Sequence, residues 1–585
     1  MGFPAAINEL ALRRVGDCYL AETAGQLGQE ELRELSSPPA DRWRVVKHNP
    51  SRTVYFGSLG GRGVYVKHFH SRSLVRRVMK RLGRSDLWCE MSYAAYLTGR
   101  GVATPEVLAA GTCNGGTWLA TRAVAPAEPG DRWHERQLAL GHAGARAIRQ
   151  AAVALAQTVA RMHAAGVLHR DLHCGNIMIR TDGAAPQPVL MDLHRARHRR
   201  VLSRRARAAN LAQLFHDRYC FTSRSDRLRF LKHYLAASQA SGTLRGWQIM
   251  VVQLAYHHAR RMYAKRDRRT LRKDKYFYPV TLGRGWRGHV VLATKNHTKN
   301  SPASAMQFDA ADWRAALADP EGLFVGPEVE AVKDSRSSQI VRRHIQVGPH
   351  RLCVYVKRAR RKFAWKAIVD FFRPARSTRA FALGHALRNR RIPTALPLAA
   401  LERRVGGLLV DSIFIVEAVD APCLNRFMDT WLARQPQADA RLTAAQQHRL
   451  AQEVLWQLGR LVQRLHDHNF AHRDLKASNL LVRWSPGSSP EVVLVDLDGI
   501  SRRRLLTTRR RFQGLMRLNV SLLECPAVNH AGRLRMLLGY LRRPGCGRVN
   551  FKPYWRVLEE WSDHKLRRQI RSRRKRQKAS RRPAS

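Results

Sequence analysis

The sequence predicts an α+β protein made of two tandem copies of one bilobal unit, each with a β-rich N-terminal lobe and a helical C-terminal lobe. Three observations carry that expectation. The chain has 585 residues, several times the roughly 150 of an ordinary domain. Three landmark strings recur, in the same order, at a nearly constant offset. Within each copy, strand patterns come first and helix patterns later, as in segregated α+β units.

The first landmark reads VVKHNPSRTVYFGSLGGRGVYVKH from Val45 to His68, and AVKDSRSSQIVRRHIQVGPHRLCVYVKR from Ala331 to Arg358. Each reads as a Val-Lys strand, a Ser-Arg loop, a β-branched strand, a glycine turn and a VYVK strand. Lys67 and Lys357 stand 290 positions apart. A basic, helix-like stretch follows, then a Pro-containing strand from Gly101 or Arg391, and an apolar strand from Thr117 or Ser412. An amphipathic helix from Arg149 or Leu450 leads into the second landmark, VLHRDLHCGNIMI (Val167 to Ile179) or FAHRDLKASNLLV (Phe470 to Val482). The third is VLMDLHRA (Val189 to Ala196) or VLVDLDGI (Val493 to Ile500). Asp171 and Asp474 are 303 apart, and Asp192 and Asp496 are 304 apart. A period near 300 marks a domain duplication rather than a solenoid. The expected boundaries are an N-terminal extension (1–40), a first domain (41–275), a Gly-, Pro- and polar-rich linker (276–308), a second domain (309–568) and a basic tail (569–585), solvated and without structure of its own.

Composition narrows the class. Hydrophobic residues make up 44% and aromatics 8%, enough for real cores. The formal net charge of +60 demands polyanionic surroundings: nucleic acid, anionic lipid or a phosphorylated glycan. The nine cysteines include no CxxC pair and read as reduced thiols of a cytosolic protein. No uninterrupted run of 18 apolar residues is present, so no spanning helix is expected, and the first residues lack the pattern of a secretory signal.

The recurring residues suit phosphoryl transfer. In each copy an apolar strand delivers a carboxylate (Asp171, Asp474) to a loop, an asparagine follows five positions later (Asn176, Asn479), and a second apolar run ends in an aspartate (Asp192, Asp496). The first carboxylate can accept the proton of an attacking hydroxyl. The asparagine and the second aspartate offer oxygens to Mg²⁺, a hard cation that prefers few protein ligands plus phosphate oxygens. Lys67 and Lys357 can hold the α- and β-phosphates of ATP, with Glu90 in the right helix to orient Lys67. These are the parts of a kinase site, found twice in register. A zinc-like reading of His169, His173 and Cys174 is disfavoured because copy two carries Lys476 and Ala477 in the last two places.

The strings VYVKHFH, LHRDLHCGN and above all MDLHRAR, from Met191 to Arg197, resemble the lipopolysaccharide kinase family, whose members phosphorylate heptose or Kdo in the lipopolysaccharide inner core. The resemblance covers roughly Asp41 to Asp274 and Asp309 to Arg568. It implies a protein-kinase-like bilobal fold, ATP and Mg²⁺ as cofactors, and a sugar hydroxyl of the core or of another lipid-linked glycan as acceptor. An anionic membrane surface, on the cytoplasmic face of the inner membrane, is the expected setting. Specific nucleic-acid recognition is not, since no RRM, KH, zinc-finger or helix-turn-helix signature accompanies the charge.

The copies depart from the pattern in different ways. Neither has a GxGxxG loop, and Gly57, Gly60, Gly61 and Gly63 read as hairpin glycines; Ser51 and Ser337 are the alternative phosphate donors. Copy two has no Asp or Glu between Phe371 and Ala400, and Ala380 falls where Glu90 falls in copy one. It does carry Lys476, two after Asp474, where Ser/Thr protein kinases keep a phosphate-contacting lysine. The expectation is therefore an active sugar kinase in copy one. Copy two is either a second kinase, of a different acceptor or of Ser/Thr in proteins, or a degenerate scaffold; a wholly non-catalytic pair of pseudokinases is the remaining alternative.

Overall fold

The computed structural model describes residues 12–15, 18–21 and 27–580 apart from 50–51, 71–85, 114–115, 184, 219–221, 295–305, 336–337, 361–372, 432–441 and 543–548. Ser51, Ser337 and the basic stretch 71–84 therefore lie outside the described residues. The chain divides into two compact units, Met1–Arg261 and Met262–Ser585.

In unit 1 the sheet contains β1 (Leu12–Val15), β2 (Cys18–Ala21), β3 (Arg44–Asn49), β4 (Arg52–Leu59), β5 (Arg62–Phe69), β6 (Val107–Cys113) and β7 (Gly116–Arg122), in the spatial order β1-β2-β6-β7-β5-β4-β3. The pairings are antiparallel. Helix α1 (Gln29–Ser36) covers one face through Leu32 and Leu35. Helix α2 (Asp86–Thr98) packs between this lobe and the helical one. The glycines behave as hairpin residues. Gly60 and Gly61 both take positive φ in the β4–β5 turn, which glycine adopts at little cost. Gly57 lies under the Trp43 ring, where a Cβ would come within 2.5 Å of it.

The helical lobe of unit 1 centres on α4 (His142–Ala164), preceded by α3 (Gly130–Ala139). Its buried stripe includes Ala156, Val159, Ala160 and Met162, the 3.6-residue period of a core-facing helix. Short strands β8 (Ala127–Pro129), β10 (Ile177–Arg180) and β11 (Gln187–Leu190) form a three-stranded ribbon, and β9 (Val167–Leu168) pairs with β12 (Arg197–His198). Helices α5 (Arg204–Arg218), α6 (Arg224–Ser238) and the part of α7 (Leu244–Arg269) up to Arg261 complete the lobe; Trp247 and Val251 of α7 are fully buried.

Unit 2 repeats the plan. Its sheet holds β13 (Phe277–Thr281), β14 (Trp286–Val291), β15 (Glu330–Ser335), β16 (Ser338–Val347), β17 (His350–Ala359), β18 (Pro397–Val405) and β19 (Leu408–Glu417), in the order β13-β14-β18-β19-β17-β16-β15. Helices α8 (Ala310–Ala316) and α9 (Arg376–Asn389) correspond to α1 and α2. The helical lobe has α10 (Ala444–Asp467), α11 (Thr508–Leu523), α12 (His530–Leu541) and α13 (Lys552–Ser580). Strands β20 (Phe470–His472) and β23 (Ile500–Arg502) pair, as do β21 (Leu480–Arg483) and β22 (Glu491–Leu494).

Three expectations about the boundaries need correcting. Within the expected linker at 276–308, residues 277–291 instead form the opening hairpin of the second copy: Val280, Trp286, Val290 and Val291 are buried, and β14 pairs along β18. Its glycines make a turn, with Gly285 at positive φ, and Pro279 sits on the edge strand, where a missing N–H costs no ladder bond. The N-terminal extension likewise supplies β1 and β2, with β2 pairing to β6, so the duplicated unit begins before residue 41. The basic tail continues α13 to Ser580. Arg, Lys, Gln and Ala are good helix formers, and the earlier turns are anchored by Trp555, Leu558 and Ser562.

Candidate active site

In copy one the two-residue strand period decides the lysine. Val64 and Val66 are buried beneath the sheet, so Lys67 projects from the opposite face. There its Nζ donates to Glu90 Oε1 from α2. Glu90 is 6% exposed, a burial that a carboxylate tolerates only when paired. Its second oxygen, Oε2, is buried without a hydrogen-bond partner among the described residues.

The catalytic loop is fixed by its histidine. His169 is fully buried. Its Nδ1 accepts from the backbone N–H of Asp171 at 3.2 Å, and its Nε2–H donates to Met191 O at 2.8 Å. Burial, opposed by the Met191 bond and the nearby carboxylates, holds its pKa below 6.5 and keeps it neutral. With both nitrogens engaged, His169 is not available to a metal, which disposes of the His-His-Cys reading. Asn210 of α5 reinforces the loop: its amide donates to His169 O at 2.7 Å, and its Oδ1 lies 3.2 Å from His169 N and 3.1 Å from His163 Nε2. His163 Nδ1 in turn meets Tyr234 OH at 2.8 Å. Two strand ends and three helices are tied through this one buried chain.

The Asp171 carboxylate is nearly half exposed at the mouth, with His173 Nε2 at 3.9 Å. Asn176 donates through Nδ2 to Asp171 O at 3.0 Å, which leaves its carbonyl oxygen as the coordinating end. Asp192 ends the run after β11 in a left-handed conformation, φ 62° and ψ 51°. Its Oδ1 is the electrostatic centre of the cleft. Arg52 Nη1 donates to it at 2.9 Å, His194 Nδ1 lies at 2.9 Å, and Lys67 Nζ at 3.9 Å. Burial alone would raise its pKa, but the His194 bond and the charges of Lys67 and Arg52 hold it far below the usual carboxylate range.

Do these residues suit a divalent cation? Ligand atoms of Glu90, Asp192 and His194 lie within 4.8 Å of one another. The unpartnered Glu90 oxygen points to the same conclusion, since a buried carboxylate oxygen without a donor is costly until a cation or water meets it. The residues fit.

Copy two brings the same backbone together with different chemistry. His472 accepts from Asp474 N at 3.1 Å and donates to Asp496 O at 2.7 Å; Asn479 Nδ2 donates to Asp474 O at 2.9 Å. Lys357 Nζ sits 3.6 Å from Asp496 Oδ1. Ala380 of α9 is buried in the core, so the helix supplies no acid; instead its Arg376 pairs with Asp498 at 3.3 Å. Asp496 does not take the left-handed conformation; its backbone angles are φ −88° and ψ 88°. Lys476 Nζ lies 2.8 Å from Asp474 Oδ2. Burial would raise the Asp474 pKa, but the Lys476 bond and charge hold it below the ordinary value.

Sequence reasoning named Lys67, Glu90, Asp171, Asn176 and Asp192 and missed Arg52, His194 and Asn210. Arg52 stands at the Ser-Arg hairpin loop, which has no glycine-rich pattern to mark it, and His194 stands inside the DLHRA string. Asn210 carried no local signal, being 41 residues from the histidine it holds.

The model of the "Lipopolysaccharide kinase (Kdo/WaaP) family" matches residues 40–234 and 338–540, more than half of the chain and once in each unit. Among solved structures, the chain is similar to "WaaP in complex with acyl carrier protein", at 23% identity over 40% of this chain and 96% of that one, with a TM-score of 0.31. It is also similar to an aminoglycoside-3'-phosphotransferase of type VIII, at 17% identity over 38% and 98%, with a TM-score of 0.24. No curated protein matches the chain. The fold is a tandem pair of protein-kinase-like domains.

Proposed function

We propose that this chain, which belongs to the lipopolysaccharide kinase (Kdo/WaaP) family, carries its phosphotransferase activity in copy one. The protein is an ATP-using kinase of a lipopolysaccharide core sugar hydroxyl. The observation that carries the assignment to copy one is the Lys67–Glu90 ion pair beside Asp192, a set with no counterpart among the described residues of copy two.

The roles follow from position. Asp171, exposed at the mouth, orients the acceptor hydroxyl and takes its proton as the oxygen attacks the γ-phosphorus. Lys67, directed by Glu90, holds the α- and β-phosphates. Asp192 and Asn176, with Glu90 and His194 close by, would hold Mg²⁺. Bound there, the cation neutralises charge on the transferring phosphoryl group. Asp474, Asn479, Asp496, Lys357 and Lys476 repeat the layout in copy two, and we read that copy as a scaffold without turnover. Because the acceptor is lipid-linked, we place the protein on the cytoplasmic face of an anionic membrane; no described helix is long and apolar enough to cross one.

The test is transfer of labelled phosphate from ATP, with Mg²⁺, to purified core glycolipid and, separately, to a protein extract. Label is expected in the glycolipid. Asp171→Asn should lower turnover by about 10³-fold while leaving the protein folded, and Asp474→Asn should leave turnover within about twofold. Label appearing only in proteins, or a collapse of activity with Asp474→Asn alone, would refute the assignment.

A further inference from the structure

Just beyond the second aspartate, both copies present the same small construction. In copy one Leu202 is 6% exposed and its neighbour Val201 is 79% exposed; in copy two Leu506 is 3% exposed and Leu505 is 74% exposed. Val201 and Leu505 are 304 positions apart, the offset of Asp192 and Asp496. They are the most exposed large apolar side chains among the described residues.

The display is fixed from both ends. Upstream, Arg199 N donates to Gly166 O and Arg503 N to Asn469 O, each at 2.9 Å, pinning the segment to the turn that precedes the catalytic loop. Downstream, Ser203 Oγ accepts from Ala206 N at 3.2 Å, and Thr507 caps α11 by accepting from Arg510 N at 3.4 Å. With the cap and the buried leucine set, the preceding residue is left facing outward. Arginines surround it: Arg199 and Arg200 before Val201, and Arg503 and Arg504 before Leu505, all exposed. Among the described residues, no carboxylate pairs with these four.

An apolar tip with unpaired cations around it suits one kind of surface. Sugar phosphates or nucleic acid would account for the arginines but not for two solvated aliphatic side chains at equivalent positions. An interface of anionic headgroups over acyl chains accounts for both. We infer that Val201 and Leu505, with their flanking arginines, are lipid-docking tips that seat each copy on an anionic bilayer beside its catalytic loop. The inference rests on the reading of the acceptor as lipid-linked.

The test uses the full chain with vesicles of phosphatidylcholine alone or mixed with phosphatidylglycerol. The variants are Val201→Asp, Leu505→Asp and the double change, none in the catalytic machinery. The wild type should co-sediment with the mixed vesicles and release as salt rises. Each single variant should bind about tenfold more weakly, given the apolar area withdrawn from the bilayer. Transfer to deacylated, soluble core acceptor should be unchanged, while transfer to vesicle-embedded glycolipid falls with binding. Wild-type failure to bind mixed vesicles would overturn the inference. So would vesicle binding that the double variant leaves intact, which would assign the arginines to polyanion contact alone. Failure of the wild type to phosphorylate the soluble acceptor would count instead against the kinase assignment, so the two failures are distinct.

Discussion

The two copies share a sheet order, a helix order and a buried histidine in the catalytic loop, yet they surround equivalent aspartates with different charges. Asp192 faces Arg52, His194 and Lys67, with Glu90 balancing the lysine. Asp496 faces Lys357 alone among these, because Ala380 replaces Glu90, Asp498 replaces His194, and Ser338 occupies the ladder position of Arg52. The fold does not depend on that chemistry. The helix position of Glu90 accepts an alanine within the core, and the loop hydrogen bonds of His472 persist without the acid. Scaffold and site are thus separable, and the site is where the copies have diverged.

The deepest difference lies beneath the loop. Asn210 links His163 and His169 in copy one, whereas Gly514 holds the equivalent place in α11, where a Cβ would sit 3.2 Å from His466 Nε2. Asn210→Ala should destabilise unit 1 by about 3 kcal/mol, since it strands buried polar groups on both histidines. Gly514→Ala should change unit 2 by less than about 1 kcal/mol, with helix propensity opposing the tight contact. Hydrogen exchange read separately over the two units would check this, and equal effects would break the comparison.

Arg52 offers a sharper distinction. A guanidinium that donates to Asp192 can transfer to the triphosphate when nucleotide binds, as Arg–phosphate pairing favours. Arg52→Ala should raise the KM for ATP about tenfold, equivalent to about 1.4 kcal/mol, with Arg52→Lys partly restoring it. Ser338→Ala in copy two should leave that KM unmoved. Steady-state kinetics at fixed acceptor would decide.

The smallest effect per residue concerns acid. Burial holds His163 at a pKa of about 4 in unit 1, and holds His385, His466 and His468 at about 3 in unit 2. Each has an ordinary value of 6.5 when unfolded. Above pH 6.5 these groups are neutral in both states and cost nothing. As the pH falls from 6.5 toward the folded values, only the unfolded chain takes up protons, so stability declines. Each histidine should remove less than about 1 kcal/mol between pH 7 and pH 6. Unit 2, with three of them, should lose stability more steeply than unit 1, which denaturation followed by exchange at several pH values would show.

The duplication and the loop residues were legible because their information is local. An HRD loop between two apolar runs, and a lysine in an alternating strand, declare themselves within a dozen positions. The opening hairpins were not legible as such. β2 finds its partner β6 about 90 residues downstream, and β14 finds β18 more than 100 residues on, so their glycines and prolines read locally as linker. Arg52 was hidden for a related reason. Its ion pair spans 140 positions, and no periodicity marks an arginine that reaches across a cleft. The tail reads as unstructured from its charge, yet its residues are strong helix formers and its helix is docked at one end by Trp555 and Leu558.

An L-residue in the left-handed basin sits roughly 1–2 kcal/mol above its relaxed state, and Asp192 is held there while Asp496 is not. The carboxylate of copy one is therefore a cocked latch, with the surrounding donors Arg52, His194 and Lys67 as its catch. Removing Arg52 or Lys67 takes away a charge, removing His194 takes away a hydrogen bond, and each loosens the catch. The backbone is then free to fall back toward the posture seen at Asp496, swinging the acid out of aim.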